Sequence, residues 1–124
     1  MQVEESKVIF YSTHDHWLIK TYKLIAKSRT ANARFQDKIT KHDLLCLILK
    51  YDRKCFYCYD KLDPKKWQLD HFYSRAMGGK NVVDNLVPAC KWCNQMKSAL
   101  DGHAFIHKAK KISQNNFFDK LNIN

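Results

Sequence analysis

Two Cys-x-x-Cys pairs constrain the fold of this chain more than any other feature of its sequence. The first pair is Cys55 and Cys58, the second is Cys90 and Cys93, and 31 residues separate them. Two-residue spacing lets both thiolates of a pair reach one tetrahedral ion, and two pairs complete a four-cysteine zinc site. A redox dithiol is the alternative, but two matched pairs argue against it. A closed shell leaves no open coordination position, so we expect this zinc to hold the fold and to do no chemistry.

The remaining composition points to a small intracellular protein. The chain has 124 residues, and its longest apolar run, Leu44 to Leu49, is too short to span a bilayer. The N-terminus lacks the pattern of a secretory signal. Five cysteines without an export signal favour metal-bound thiolates over disulfides, so we expect a cytoplasmic protein that is not secreted and has no membrane partner. The fifth cysteine, Cys46, is expected to pack in the core.

Positive charge is distributed along the whole sequence, with a formal net charge of +10. Such a balance favours an anionic polymer as partner, most often nucleic acid. A helix predicted from about residue 15 to 29 carries a lysine stripe, formed by Lys20, Lys23 and Lys27. These lysines either contact phosphates or form an ordinary solvated face. The opposite face of the same helix is predicted to be apolar, with Leu18, Tyr22 and Ile25.

Local patterns predict the other elements. Thr40 and Asp43 have the spacing of a capping box and start a helix that reaches about Lys50. Strands are predicted over 8–11, 67–72 and 86–89, and helices from near 93 to 100 and over 103–112. Asp101-Gly102 is expected to separate the last two helices. Phe117 and Phe118 of the tail are expected to dock on the body of the protein.

A set of motifs lies between and just after the cysteine pairs. They are Leu69-Asp70-His71, Gly78-Gly79, Asn85-Leu86-Val87 and Asn94-x-x-Lys97. In this order and spacing they resemble the HNH endonuclease family over roughly residues 40–101. The resemblance implies an α+β fold, with a ββα-metal, treble-clef-like core stapled by the four-cysteine zinc site and flanked by basic helices. We therefore expect an N-terminal basic helical arm (1–39), an HNH nuclease domain (40–101) and a C-terminal helix and tail (102–124).

The resemblance also implies roles for individual residues. His71 is the general base, Asn85 braces the loop and helps to orient this histidine, and Asp70 and Asn94 bind a catalytic divalent ion. Because Asn94 takes the place of the last histidine, the chain is an H-N-N variant. Lys97 could contact a phosphate, whereas Arg75 and Lys80 are as readily solvated loop charges as phosphate ligands.

The residue types themselves fit phosphodiester hydrolysis. A neutral imidazole can accept a proton from water near neutral pH. Oxygen ligands from Asp70 and Asn94 suit Mg²⁺ or Mn²⁺, although Asn94 could simply cap a helix. Consecutive strand residues point to opposite faces. Asp70 and His71 must therefore act from different sides, unless the strand ends there.

The sequence departs from many relatives at two loop positions. Tyr59 replaces a glycine after the second cysteine, and Ser74 replaces a proline three residues after the predicted base. Both changes put the shape of a loop in doubt, but neither touches a predicted catalytic atom.

The sequence thus predicts a metal-dependent endonuclease that hydrolyses DNA and needs no small-molecule cofactor. A monomer would nick, a homodimer could cut both strands, and the small size suggests a phage or mobile-element enzyme. Two alternatives remain: a non-catalytic zinc-knuckle module that only binds nucleic acid, and a structural or protein-binding zinc scaffold.

Overall fold

The computed structural model describes residues 15–31 and 39–115. The elements there are α1 (His16–Ala31), α2 (Lys41–Lys50), β1 (Gln68–His71), β2 (Leu86–Ala89), α3 (Lys91–Lys97) and α4 (Gly102–Ser113). This mixture of helices with a small sheet confirms the predicted α+β class. The predicted strand at 8–11 and the predicted docking of Phe117 and Phe118 lie outside the described residues. None of the helices in these two ranges is long and apolar enough to cross a membrane.

The two strands form an antiparallel hairpin that is followed directly by a helix. Gln68 pairs with Ala89 and His71 pairs with Leu86. Pro88 is tolerated in β2 because a two-stranded sheet leaves one edge of each strand without a ladder. Helix α3 begins two residues after β2 and contacts β1. The resulting order of strand, strand and helix confirms the predicted ββα arrangement.

Side-chain caps define where the helices begin. The Asp43 amide donates to Thr40 Oγ1 over 3.1 Å and the Thr40 amide donates to Asp43 Oδ2 over 2.9 Å, which confirms the predicted capping box. Asp101 caps α4 by accepting a hydrogen bond from the Ala104 amide over 2.8 Å. The Asp101-Gly102 pair therefore starts α4, but it does not end α3 as predicted: α3 spans Lys91–Lys97 rather than 93–100 and ends before Ser98, which has a φ of 51°.

One hydrophobic cluster joins the helices to the hairpin and to the first and last cysteines of the quartet. Its buried members are Leu18, Ile25, Leu44, Leu45, Leu47, Ile48, Cys55, Leu62, Trp67, Leu86, Ala89, Cys93 and Phe105. Side chains from all three predicted segments contribute, so α1 and α4 share a core with the segment between them. The segment boundaries themselves stay a prediction. Cys46 packs against the cluster, as expected.

The apolar face of α1 differs from the prediction at one position. Tyr22 is 38% exposed, whereas Thr21 is fully buried. The Thr21 hydroxyl donates to the carbonyl oxygen of Pro64 over 2.7 Å and accepts from Trp67 Nε1 over 2.6 Å. Hydrogen bonding on both sides offsets the cost of burying this polar group. A hydrophobicity pattern does not register a threonine satisfied in this way.

Candidate metal centre and active site

The four cysteines of the two pairs converge on one point. Their sulfur atoms all lie within 4.8 Å of one another. The Cys58 and Cys90 sulfurs are 3.9 Å apart. This separation is far longer than a disulfide bond of about 2.05 Å. It matches the roughly 3.8 Å between thiolates on a tetrahedral zinc with Zn–S bonds of about 2.3 Å. The donor set and its geometry therefore fit a structural metal such as zinc.

Burial disfavours free thiolates at Cys58 and Cys93, two of the four cysteines. Burial raises the pKa of the Cys58 thiol to about 11, and burial also raises the pKa of Cys93. At Cys55 burial acts in the same direction, but backbone hydrogen bonds with Cys58, Cys90 and Tyr57 outweigh it and lower the pKa. The Cys58 and Cys93 thiols would thus stay protonated near neutral pH by themselves. A divalent cation would stabilise the thiolates and release their protons.

Tyr59 and Ser74, the two departures noted in the sequence, differ in backbone conformation. Tyr59 has a φ of 66°, in the left-handed region that glycine adopts without strain. The Lys54 ammonium lies 5.6 Å from the centre of the Tyr59 ring. Ser74 has a φ of −55°, within the range that proline would impose. Tyr59 therefore occupies a position that would suit glycine better, whereas serine adopts the conformation of Ser74 without strain.

A polar cleft of about 170 Å³ opens where β1 ends against α3. Its walls are formed by Leu69, Asp70, His71, Ser74, Arg75, Asn94, Lys97 and Ser98. Asp70 and His71 are the last two residues of β1 and pair with Val87 and Leu86 of β2. Both residues line the cleft. The structure thus brings Asp70, His71 and Asn94 together.

Asp70 is buried and both of its carboxylate oxygens are engaged. The Tyr57 hydroxyl donates to Oδ2 over 2.5 Å, and the Lys97 ammonium lies 3.3 Å from Oδ1. Lys97 is only 1% exposed and also donates to the carbonyl oxygen of His71 over 2.9 Å. Burial raises the pKa of Tyr57, and the hydrogen bond to Asp70 adds to this effect, so the phenol stays a neutral donor. The carboxylate is therefore held in one orientation.

Asn85 holds the loop that connects the strands. Its amide nitrogen donates to the carbonyl oxygens of Tyr73 and Lys80 over 3.0 and 2.8 Å, and its Oδ1 accepts from the Tyr73 amide over 2.8 Å. Asn85 is 8% exposed. These contacts are those expected of a residue that braces the loop. A part in orienting His71 stays a prediction.

Replacing Asn85 with alanine is expected to lower the free energy of unfolding by about 2–4 kcal/mol, because buried backbone groups lose their partners. Urea denaturation of the metal-loaded protein measures this change. Asp84→Ala, at an exposed position in the same turn, is the matched control and should stay within about 0.5 kcal/mol of wild type. Equal midpoints for the two variants would contradict the bracing role.

Further polar residues support the predicted site and were not expected from the sequence. Asn94 donates from its amide nitrogen to Gln68 Oε1 over 2.5 Å, so its carbonyl oxygen is the atom with which it could bind a cation. His71 Nε2 lies 2.7 Å from Asn81 Oδ1. Gln68, Asn81 and Tyr57 carry no motif that sets them apart from other polar residues. They can be identified as site residues only from their positions in the structure.

The predicted phosphate-binding residues occupy different surroundings. Arg75 is exposed and lines the cleft, and Lys97 lines it from within. Lys80 is exposed, and its carbonyl oxygen belongs to the braced loop. Three lysines lie along α1 and do not line the cleft: Lys20, Lys23 and Lys27. Contact with phosphate stays a prediction for all of these residues.

Comparison with known proteins agrees with this geometry. The hairpin, the helix behind it and the four-cysteine site define a ββα-metal type of domain. The family model described as HNH endonuclease matches residues 55–100, which contain the hairpin, α3 and all four cysteines. This segment is therefore an HNH domain, and it indicates a nuclease or nucleic-acid-binding function. No curated protein matches the chain.

Proposed function

We propose that the chain is an endonuclease that hydrolyses DNA phosphodiester bonds in the cleft between β1 and α3. The observation that carries this proposal is the cleft itself: Asp70, His71 and Asn94 share it, within the segment that matches the HNH family. An activated water, a cation on the scissile phosphate and help for the leaving oxygen are the needs of this reaction. The cleft has a candidate group to activate the water and candidate ligands for the cation.

His71 is the general base in this proposal. A neutral imidazole accepts the proton of the attacking water near neutral pH. His71 is half-buried at the end of β1, and its ring is tethered to Asn81. The described walls of the cleft contain no other imidazole. These features give the base a fixed position and leave it without an obvious substitute.

Asp70 and Asn94 are the proposed ligands of Mg²⁺ or Mn²⁺. Such an ion, when bound, would supply positive charge to a phosphate oxygen. Carboxylate and amide oxygens are ligands that hard cations prefer. Tyr57 and Lys97 each occupy one oxygen of Asp70. A cation must therefore use the remaining lone pairs, or the ammonium must move aside.

The four-cysteine site has the separate role of a structural zinc centre. Four thiolates close its coordination shell, so it offers no position for water or phosphate. Its two halves flank the hairpin in sequence, and Cys55 and Cys93 belong to the core. Zinc would thereby fix the strands on which the cleft is built.

Basic residues would supply affinity for the DNA backbone. Arg75 and Lys97 line the cleft, and further lysines extend along α1 and the braced loop. Neutralising phosphates releases counterions, so binding should weaken steeply as salt is added. A monomer with one such cleft would nick one strand, and a homodimer could cut both.

A plasmid assay tests the proposed function. Zinc-loaded protein incubated with supercoiled plasmid and Mg²⁺ or Mn²⁺ should produce nicked or linear DNA, and EDTA added at the start should prevent this. DNA binding measured by anisotropy should fall with salt. Binding without cleavage, in protein shown to contain zinc, would support the non-catalytic binding module instead. A protein with neither activity would leave only the scaffold alternative.

A further inference from the structure

His71 has two ring nitrogens, and the base chemistry proposed above needs one of them to be free of a proton. Neutral imidazole carries its proton on either Nδ1 or Nε2. The partner of one nitrogen therefore decides which nitrogen is basic. Asn81 Oδ1 lies 2.7 Å from Nε2 of His71, within ordinary hydrogen-bond distance.

The chemistry of the Asn81 oxygen fixes the direction of this hydrogen bond. An amide oxygen only accepts, so the Nε2–H group of His71 must donate to it. The neutral ring then presents Nδ1 as its basic atom. The same contact limits rotation of the ring, because turning it would break a hydrogen bond in a half-buried site.

The loop that carries Asn81 is held rigidly enough to place an amide. Asn85 donates to the carbonyl oxygen of Lys80, directly before Asn81, and to that of Tyr73 across the loop. Gly79 packs so closely against the backbone of Tyr73 that an added Cβ would overlap its carbonyl oxygen. The Gly79 amide donates to the carbonyl oxygen of Ser74 over 2.9 Å. These contacts hold Gly79 and Lys80, the two residues before Asn81, against Tyr73 and Ser74 on the other side of the loop.

We propose that Asn81 is a positioning residue for His71: it accepts the Nε2 proton, fixes the ring and leaves Nδ1 to take the proton of the attacking water. This proposal rests on the proposed nuclease function, and it adds a residue that no motif identified. Asn85 then acts on the base through the loop, and Asn81 is the side chain that touches the ring.

Two variants of Asn81 test the proposal in zinc-loaded protein. Asn81→Ala removes the acceptor and should lower kcat by about 10–100-fold, since a misplaced catalytic group loses rate on this scale. KM, DNA affinity and the unfolding midpoint should stay at wild-type values. Asn81→Asp keeps an acceptor oxygen at the same place and should restore most of kcat. Val82→Ala, at the exposed neighbouring position, is the control and should match wild type.

A spectroscopic measurement tests the contact without any catalysis. In zinc-loaded protein without added Mg²⁺ or Mn²⁺, the Nε2–H proton of His71 should give a slowly exchanging imidazole resonance in wild type and Asn81→Asp. His71→Ala identifies the resonance by its loss, and Asn81→Ala should lose it through rapid exchange. Persistence of the resonance with an unchanged kcat in Asn81→Ala would overturn the proposal. A parallel fall in kcat and unfolding midpoint that Asn81→Asp does not rescue would also overturn it, by showing a merely structural role.

The outcome for wild type separates this proposal from the one on which it rests. Wild-type protein that cleaves no DNA would overturn the nuclease function, whatever the resonance shows, and the catalytic role of Asn81 would fall with it. Wild-type protein that cleaves, with all Asn81 variants equal to it, would overturn the positioning role alone.

Discussion

Replacing His71 with alanine is expected to slow DNA cleavage by about 10²–10⁴-fold, the usual contribution of a positioned general base. No other histidine of the described chain lines the cleft, so water would have to lose its proton to solvent. The measurement is the initial rate of plasmid nicking at fixed pH with saturating divalent ion. DNA affinity and zinc content should stay at the wild-type level, because the His71 side chain belongs to neither the zinc site nor the predicted phosphate contacts.

The matched control for this variant is His107→Ala. His107 is an exposed histidine of α4 and does not line the cleft. Its replacement should leave the rate unchanged. If His71→Ala cleaved as fast as His107→Ala, another group would have to be the base, and the proposed mechanism would be wrong.

Replacing Cys58 with serine is expected to unfold the domain rather than merely to lower its rate of DNA cleavage. Structural zinc sites contribute an apparent binding free energy of about 10–16 kcal/mol. This is comparable to the net stability of about 5–15 kcal/mol that native proteins possess. Cys55 and Cys93 are buried in the core, so loss of the metal would disturb the packing around the hairpin as well. Circular dichroism and zinc content measure the effect, and chelation of the wild-type metal should reproduce it.

Cys46→Ser provides the same chemical change outside the quartet. Cys46 lies on α2, half-buried, with its sulfur 3.5 Å from His42 Nε2. This variant should keep its zinc and its cooperative unfolding, with a loss of about 1 kcal/mol for a partly buried side chain. Zinc-free Cys58→Ser that unfolds at the wild-type midpoint would contradict a structural role for the metal.

Local patterns in the sequence were sufficient to predict most of the elements that build the site. The Cys-x-x-Cys spacing predicted the convergence of four sulfurs, because two residues between ligands leave few other geometries. The capping box at Thr40 and the start of α4 at Asp101 follow from side chains that satisfy orphan amides within a few residues. These features depend on neighbours in the chain and can therefore be recognised without coordinates.

The partners of the site residues could not be predicted, because they depend on contacts distant in sequence. Tyr57 reaches Asp70 from the first cysteine pair, and Lys97 reaches it from α3. Thr21 is buried only because Pro64 and Trp67 satisfy its hydroxyl. Each of these is a polar residue whose place is decided by tertiary packing. The pattern of hydrophobic residues carries no information about such pairs.

Lys97 has a consequence for how the cleft can behave. Its ammonium joins α3 to the end of β1 through Asp70 and the carbonyl oxygen of His71. Pulling the helix away from the hairpin would separate two buried opposite charges, at a cost of about 3–5 kcal/mol for the loss of one partner. We therefore expect α3 and the hairpin to move together as a rigid unit. The walls of the cleft would then keep their shape when a ligand enters it.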